Sequence, residues 1–178
     1  MTHSVAHEGH HLQVGDIENS WLKPDPLSSN WDRFIDWIGG FHFVFLHFPI
    51  AMIVMSVAAE LLGVWFRNPL FSDAARFMIL TAAIFAPITA LLGLALGYHS
   101  NYQGAELDLY TWHRLFGLLT AGLAVITAIL REGYTYRIFR SLTGYYIALV
   151  ALFILVSLTG SFGGEMTFGV KDEAVSNE

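Results

Sequence analysis

Four histidines outside the amino-terminal tail have the clearest capacity for chemistry, because they lie within or beside long apolar segments. His42 and His47 open the first apolar segment, His99 ends the second, and His113 begins the third. An ionisable side chain at membrane depth is costly and usually functional, and imidazole is a common metal ligand. These residues therefore indicate a metal or cofactor site in a membrane protein.

Small residues continue the helical faces on which two of these histidines lie. A flat macrocycle fits against such faces, and imidazoles from His47 and His113 could ligate its iron from opposite sides, as in haem b. Close packing of membrane helices produces the same pattern without a cofactor. We predict that these two rings face each other at matching depth. The small or short residues are Ala51, Val54 and Ala58 beyond His47, and Gly117, Thr120 and Ala124 beyond His113.

The other histidines and one arginine have more than one interpretation. Five residues separate His42 from His47, which places them about 140° apart around a helix and directs them to different neighbours. His42 could ligate a second haem, bond to a quinone, or bond to a freed backbone carbonyl. Arg114 is a candidate partner for a haem propionate, because guanidinium offers a planar fork of donors. His99 is either an interfacial polar residue or a partner for a propionate or metal.

Two acidic residues are further candidates. Glu60 lies on the opposite half of the first segment from the histidines, where we expect it to pair with Arg76 or Arg131. Proton uptake is the second interpretation of a carboxyl at that depth. Glu165 closes the fourth segment, where it either caps the helix end or ligates a metal.

Composition places these residues in a small polytopic membrane protein, with 54% hydrophobic and 13% charged residues. Four apolar segments are each long enough to cross a hydrocarbon core of about 30 Å as a helix. Their short connections predict an all-α, antiparallel four-helix transmembrane bundle. Pro49 and Pro87 each remove a helical hydrogen bond and predict kinks near the site. The segments are residues 40–66, 74–98, 109–130 and 138–162.

Polar stretches flank the membrane domain, which we assign to residues 39–165. Residues 28–38 predict an amphipathic helix at the membrane interface, with a serine-rich cap. Residues 1–27 form a polar tail, and residues 166–178 a second one. The first tail is typical of disordered, solvent-exposed chain, although its histidines could also capture a metal. Those histidines are His3, His7, His10 and His11.

Loop charges predict the orientation in a bacterial inner membrane. Arginines flank the first and third connections, which the positive-inside rule assigns to the cytoplasm. Both termini and the second connection are then periplasmic. On this topology the four histidines of the membrane domain and Glu165 all lie toward the periplasm.

Several functional classes receive little support. The chain has no cysteine, which excludes disulfides, cysteine-ligated iron–sulfur clusters and thioether-linked haem. A net charge of −6 argues against nucleic-acid binding. The sequence has neither a glycine-rich phosphate loop nor a Gly-x-Ser-x-Gly elbow, so kinase and hydrolase functions are not indicated.

The motifs resemble those of a widespread bacterial transmembrane family of unknown function, over about residues 39–170. Some relatives appear joined to cytochrome c or Rieske domains, so the resemblance implies a neighbourhood of electron transfer. The His-rich tail and His99 have no counterpart in the family pattern. The matching motifs are His-x4-His-Phe-Pro-Ile-Ala at residues 42–51, followed by Glu60, then His113, and the closing Gly-Gly-Glu at residues 163–165.

Our first hypothesis is a membrane b-type cytochrome, an electron-transfer subunit rather than a stand-alone enzyme. It would carry electrons between a periplasmic partner of the cytochrome c or Rieske type and the quinone pool or a larger complex, and a homo-oligomer could share a second haem. The second hypothesis is a haem-free accessory subunit that stabilises a larger respiratory or photosynthetic complex. The third is a periplasm-facing copper or zinc site that uses the tail histidines with His99 and Glu165.

Overall fold

The computed structural model describes residues 29–169, and this part of the chain contains helices and no strands. Two compact units are distinguished, Met1–Phe34 and Ile35–Glu178, and the bundle belongs to the second. The predicted His-rich tail, with His3, His7, His10 and His11, lies outside the described residues, as do residues 170–178. The helices are α1 (Asn30–Gly39), α2 (His42–Phe45), α3 (His47–Phe66), α4 (Pro69–Leu96), α5 (Ala105–Thr135) and α6 (Thr143–Phe168).

Four helical stretches are long and apolar enough to cross a membrane, as the fold class predicted. The first consists of α1 to α3, and the others are α4, α5 and α6. Consecutive helices pack against each other, and α6 returns to pack against α3. This order closes an antiparallel bundle in which α3 and α5 occupy one diagonal and α4 and α6 the other.

Small side chains fill much of the interior of the bundle, whereas large apolar side chains cover its outside. Ala82 and Ala124 are fully buried, together with Ile53 and Leu152. Small interior residues let helices approach closely, and apolar side chains on the outside are favourable only in lipid. Exposed aromatic side chains near the helix ends suit the headgroup region: Trp65, Phe66, Tyr98, Trp112 and Tyr136.

The first helix, α1, has the cap that its sequence predicted. Ser29 and Asp32 bond reciprocally: the Ser29 amide donates to Oδ2 of Asp32 at 2.8 Å, and the Asp32 amide donates to Oγ of Ser29 at 3.2 Å. Each bond satisfies a backbone donor that helix geometry leaves free. This cap explains why α1 begins at Asn30.

Pro49 accounts for the interruption between α2 and α3. Proline has no amide hydrogen to donate to the carbonyl of Phe45, and its ring crowds that carbonyl. The assigned helix is accordingly interrupted at Leu46 alone, where the backbone keeps helical dihedral angles and the Leu46 amide donates to the His42 carbonyl at 2.9 Å. Pro87 has no such effect, because α4 is continuous through it. The kinks that we expected at the two prolines stay predictions.

The later helices do not begin and end where their apolar segments do, because caps and turns, rather than hydropathy, determine where a helix begins and ends. α4 begins at Pro69, before its apolar segment, because the Asn68 side chain accepts from the Leu70 amide at 3.0 Å and proline suits the first helical position. α5 extends beyond its segment at both ends into polar residues. α6 begins only at Thr143, because Ile138 and Phe139 turn back and donate to the Gly133 carbonyl.

Candidate metal centre

Two imidazoles meet across the bundle at the end where α2 lies. The ring centroids of His42, on α2, and His113, on α5, are 6.4 Å apart, and their planes are 89° apart. Both side chains are half-buried. The bundle thus brings together two histidines that are far apart in sequence.

A backbone carbonyl of the neighbouring helix fixes one nitrogen of each ring. Nδ1 of His42 lies 2.9 Å from the Thr89 carbonyl oxygen, and Nδ1 of His113 lies 3.0 Å from that of Thr159. A carbonyl can only accept a hydrogen bond, so Nδ1 must carry the hydrogen. In a neutral imidazole, Nε2 then has a free lone pair, and this is the arrangement that orients histidines toward metals.

A glycine lies under each imidazole where a larger residue would collide with it. A Cβ added at Gly93 would lie 2.9 Å from Cε1 of His42, and one added at Gly163 would lie 2.9 Å from Cε1 of His113. The same glycines therefore set how closely each ring approaches the adjacent helix. Gly93 lies four residues after Thr89, and Gly163 lies four residues after Thr159. The carbonyls of these two threonines accept the hydrogen bonds of the rings.

The two halves of the bundle repeat this arrangement. In each half a histidine on the first helix contacts a Thr-x3-Gly turn on the second, with 47 residues from His42 to Thr89 and 46 from His113 to Thr159. The two threonines and two glycines were missed in the sequence analysis. Their signal was the repeated Thr-x3-Gly at nearly equal distance from a histidine. The repeat gives both imidazoles the same tautomer.

The partner of His113 differs from our expectation. We expected His47, but the imidazole against His113 is that of His42, and His47 is exposed on α3. The cause is the wide angle between His42 and His47 around the first span. His42 bonds to a backbone carbonyl, but it is that of Thr89 and not one freed by Pro49 or Pro87. Whether any of these residues binds a cofactor remains a prediction.

The other candidates near this end are on the surface. Nδ1 of His99 lies 2.8 Å from Oδ1 of Asp36, and both side chains are exposed. Arg114 and Glu165 are also exposed. Within residues 29–169 no three His, Asp or Glu side chains form a group that could hold a metal ion. A copper or zinc site built with the tail histidines involves residues outside this range.

Our expectation for Glu60 at the other end was wrong. Arg76 pairs with Glu132 instead, through bonds of 2.6 and 2.7 Å between the facing helices α4 and α5. Arg131 donates to the carbonyl and hydroxyl oxygens of Ser72. Both arginines therefore have nearer partners on α4 or α5, and Glu60 accepts hydrogen bonds from tyrosines.

One comparison with known proteins gives a match. The model of a family described as "Predicted membrane protein (DUF2231)" matches residues 40–173. This range includes both central histidines, both Thr-x3-Gly turns, three complete spans and the first span from residue 40 onward. No curated protein and no solved structure matches the chain.

Proposed function

The chain belongs to the family described as predicted membrane protein (DUF2231), and from that premise we propose that it is a membrane b-type cytochrome with His42 and His113 as axial ligands. It carries electrons between a redox partner protein, of the cytochrome c or Rieske type, and the quinone pool or a larger membrane complex. Its place is the bacterial inner membrane, with the histidine pair toward the periplasm, as the loop charges indicate.

The spacing of the two imidazoles is the observation that carries this proposal. Bonds from metals to imidazole nitrogens are about 2.0–2.1 Å long, and each nitrogen lies about 1.1 Å from its ring centre, so two imidazoles on opposite sides of one ion have centroids roughly 6.3 Å apart. The rings of His42 and His113 are separated by 6.4 Å. Donor type and spacing therefore fit an iron ligated on both faces.

The chain's own groups hold the ligands in the state that binding requires. The carbonyls of Thr89 and Thr159 keep hydrogen on Nδ1 and leave Nε2 free. His42 and His113 would hold haem b, which would supply reversible one-electron transfer. This ligand set supports an electron carrier rather than an enzyme. Arg114, exposed next to His113, is the nearest candidate partner for a propionate.

A second candidate is a haem-free accessory subunit of a larger membrane complex. It is favoured by the close packing beneath the histidines: the hydroxyls of Thr120 and Thr159 are only 3.2 Å apart, two turns beyond His113. Helices this close need no cofactor to fill the space between them. The two proposals differ in whether the purified protein carries a chromophore.

An optical spectrum of protein produced with an adequate haem supply and purified in detergent tests the proposal. We expect a Soret band and a sharp reduced α-band in the unmodified chain and in His47→Ala, and loss of both bands in His42→Ala and His113→Ala. Circular dichroism should show that all three variants keep their helices. A chain without any chromophore would favour the accessory subunit, and loss in His47→Ala with retention in His42→Ala would contradict the ligand assignment.

A further inference from the structure

Glu60 is a carboxyl at membrane depth, remote from the histidine pair. Only 6% of the residue is exposed. Tyr145 donates its hydroxyl hydrogen to Oε1 at 2.9 Å, and Tyr146 donates to Oε2 at 3.4 Å. Eighteen residues of the first span separate Glu60 from His42, or roughly 27 Å along a helix. A role for Glu60 is therefore independent of the proposed haem site.

The charges around Glu60 are arranged so that none of them forms an ion pair with it. The Arg131 guanidinium lies over the ring of Tyr145, 5.3 Å from its centroid, and donates to Ser72. Arg76 is engaged by Glu132. Among residues 29–169 no basic group lies within 4.0 Å of the carboxyl of Glu60. The partners of this carboxyl are therefore the two tyrosine hydroxyls rather than a basic group.

A buried donor next to the same tyrosine shows that the polar network is incomplete. Nε of Arg131 is buried and has no hydrogen-bond partner. Buried polar atoms are nearly always satisfied, so a water molecule is the expected partner at such a position.

A groove connects Glu60 with the end of the bundle that carries the α3–α4 connection. Its lining includes the connection itself, at Arg67 and Asn68, together with Ser72 and Tyr146 and the apolar residues Gly63, Val64 and Pro69. Glu60 lines the same groove. Polar side chains thus lead from the surface to the buried carboxyl, which gives water a route to it.

We propose that Glu60 exchanges protons with the aqueous phase on the side of the α3–α4 connection. The carboxylate takes one proton from hydronium, which leaves as water, and the reverse step releases it. The ligand that this site suits is a proton, because a metal ion needs more ligands than one carboxyl offers. The described residues contain no cluster of three acidic or histidine side chains that could hold a metal ion. No electron transfer is involved in either step.

The two tyrosines have different parts in this exchange. A protonated carboxyl must donate a hydrogen bond, and the Tyr146 hydroxyl can rotate to accept it because its bond to Glu60 is long and Tyr146 is exposed. Tyr145 is almost fully buried and its bond is shorter, so it holds the ionised form. Loss of the Tyr145 hydroxyl should therefore favour the protonated form.

Labelling with N,N′-dicyclohexylcarbodiimide tests the proposal, because this apolar reagent modifies protonated carboxyls in membranes and mass spectrometry locates the adduct. We expect modification of Glu60, with a rate that falls about tenfold per pH unit once the carboxyl is mostly ionised. The same profile should move to higher pH in Tyr145→Phe. Glu132, held ionised by Arg76, is the internal control and should stay unmodified.

The side of the membrane with which Glu60 exchanges protons is measured in sealed vesicles that have a different pH inside and outside. Labelling of Glu60 should follow the pH of the compartment that faces the α3–α4 connection, and no adduct should form at this position in Glu60→Gln. A Glu60 that stays unmodified in folded protein from about pH 5 to pH 9, or that reacts at a rate independent of pH, would overturn the proposal and leave the network a purely structural link between helices.

Discussion

The imidazoles of His42 and His113 lie 6.4 Å apart with perpendicular planes, although the two residues belong to spans on a diagonal of the bundle. Each ring is held from behind by a carbonyl and a glycine of the helix that follows it. The pair is therefore positioned by all four spans, and a change in any of them should disturb it.

Alanine at Gly93 or Gly163 should disrupt the histidine pair. Each new methyl group would lie 2.9 Å from an imidazole carbon, so the ring must move from its carbonyl. We expect loss of haem binding and a decrease of about 1–3 kcal/mol in the free energy of unfolding, as for other overpacked sites. Haem content per protein and denaturant unfolding in detergent measure the two effects.

Gly160→Ala and Gly122→Ala are the matched controls for these substitutions. Both glycines lie in the same kind of apolar helix, and a Cβ added at either would have no neighbour within 4 Å. Alanine also favours the helix over glycine by up to about 1 kcal/mol. Equal effects in the controls and in Gly93→Ala would show that the contact with the imidazole is not the cause.

Pro49→Ala should join α2 and α3 into one helix. The new amide can donate to the Phe45 carbonyl, and the clash with the proline ring disappears. We expect His42 to turn relative to His113, so that haem binding weakens while helix content stays the same or rises slightly. Pro87→Ala is the control, because α4 is already continuous there. Unchanged haem binding in Pro49→Ala would mean that the break does not position His42.

Tyr145→Phe should destabilise the bundle by about 1–3 kcal/mol, because it leaves an oxygen of buried Glu60 without its donor. Tyr146→Phe should cost less, since its bond is 3.4 Å long and Tyr146 is exposed. Tyr98→Phe, at an exposed position, should have no measurable effect. Denaturant unfolding of the three variants gives the order of their losses in the free energy of unfolding. An equal loss in all three would contradict the role of Glu60 as hydrogen-bond acceptor.

Arg76→Gln and Glu132→Gln should each lower the free energy of unfolding by about 1–2 kcal/mol, because two short charge-assisted bonds are lost. The double variant should lose less than the sum of the two single variants, as expected for residues that contact each other. High salt should reduce the effect, because both side chains are partly exposed. Additive losses would show that the pair contributes no coupling energy.

Helix number and fold class could be predicted because they depend on hydropathy over about 20 residues, and hydropathy is a property of the sequence itself. Helix ends were less accurate, since they depend on single contacts such as Asn68 with the Leu70 amide. The wrong expectation for Glu60 has a similar origin. An arginine side chain can reach several acidic residues, and the packing of α4 against α5 determines that Arg76 pairs with Glu132.

By itself, the sequence determined that residues 29–169 contain four helices long and apolar enough to span a membrane, and that the four histidines of this part lie toward one end of them. Only the tertiary structure decided that His42, rather than His47, lies against His113, and that Thr89, Gly93, Thr159 and Gly163 hold the pair. The reason is that residue type and spacing define the faces of a helix, but not which neighbouring helix each face contacts. That contact depends on how each helix is rotated about its axis and on where it is interrupted, as the first span is beside Pro49.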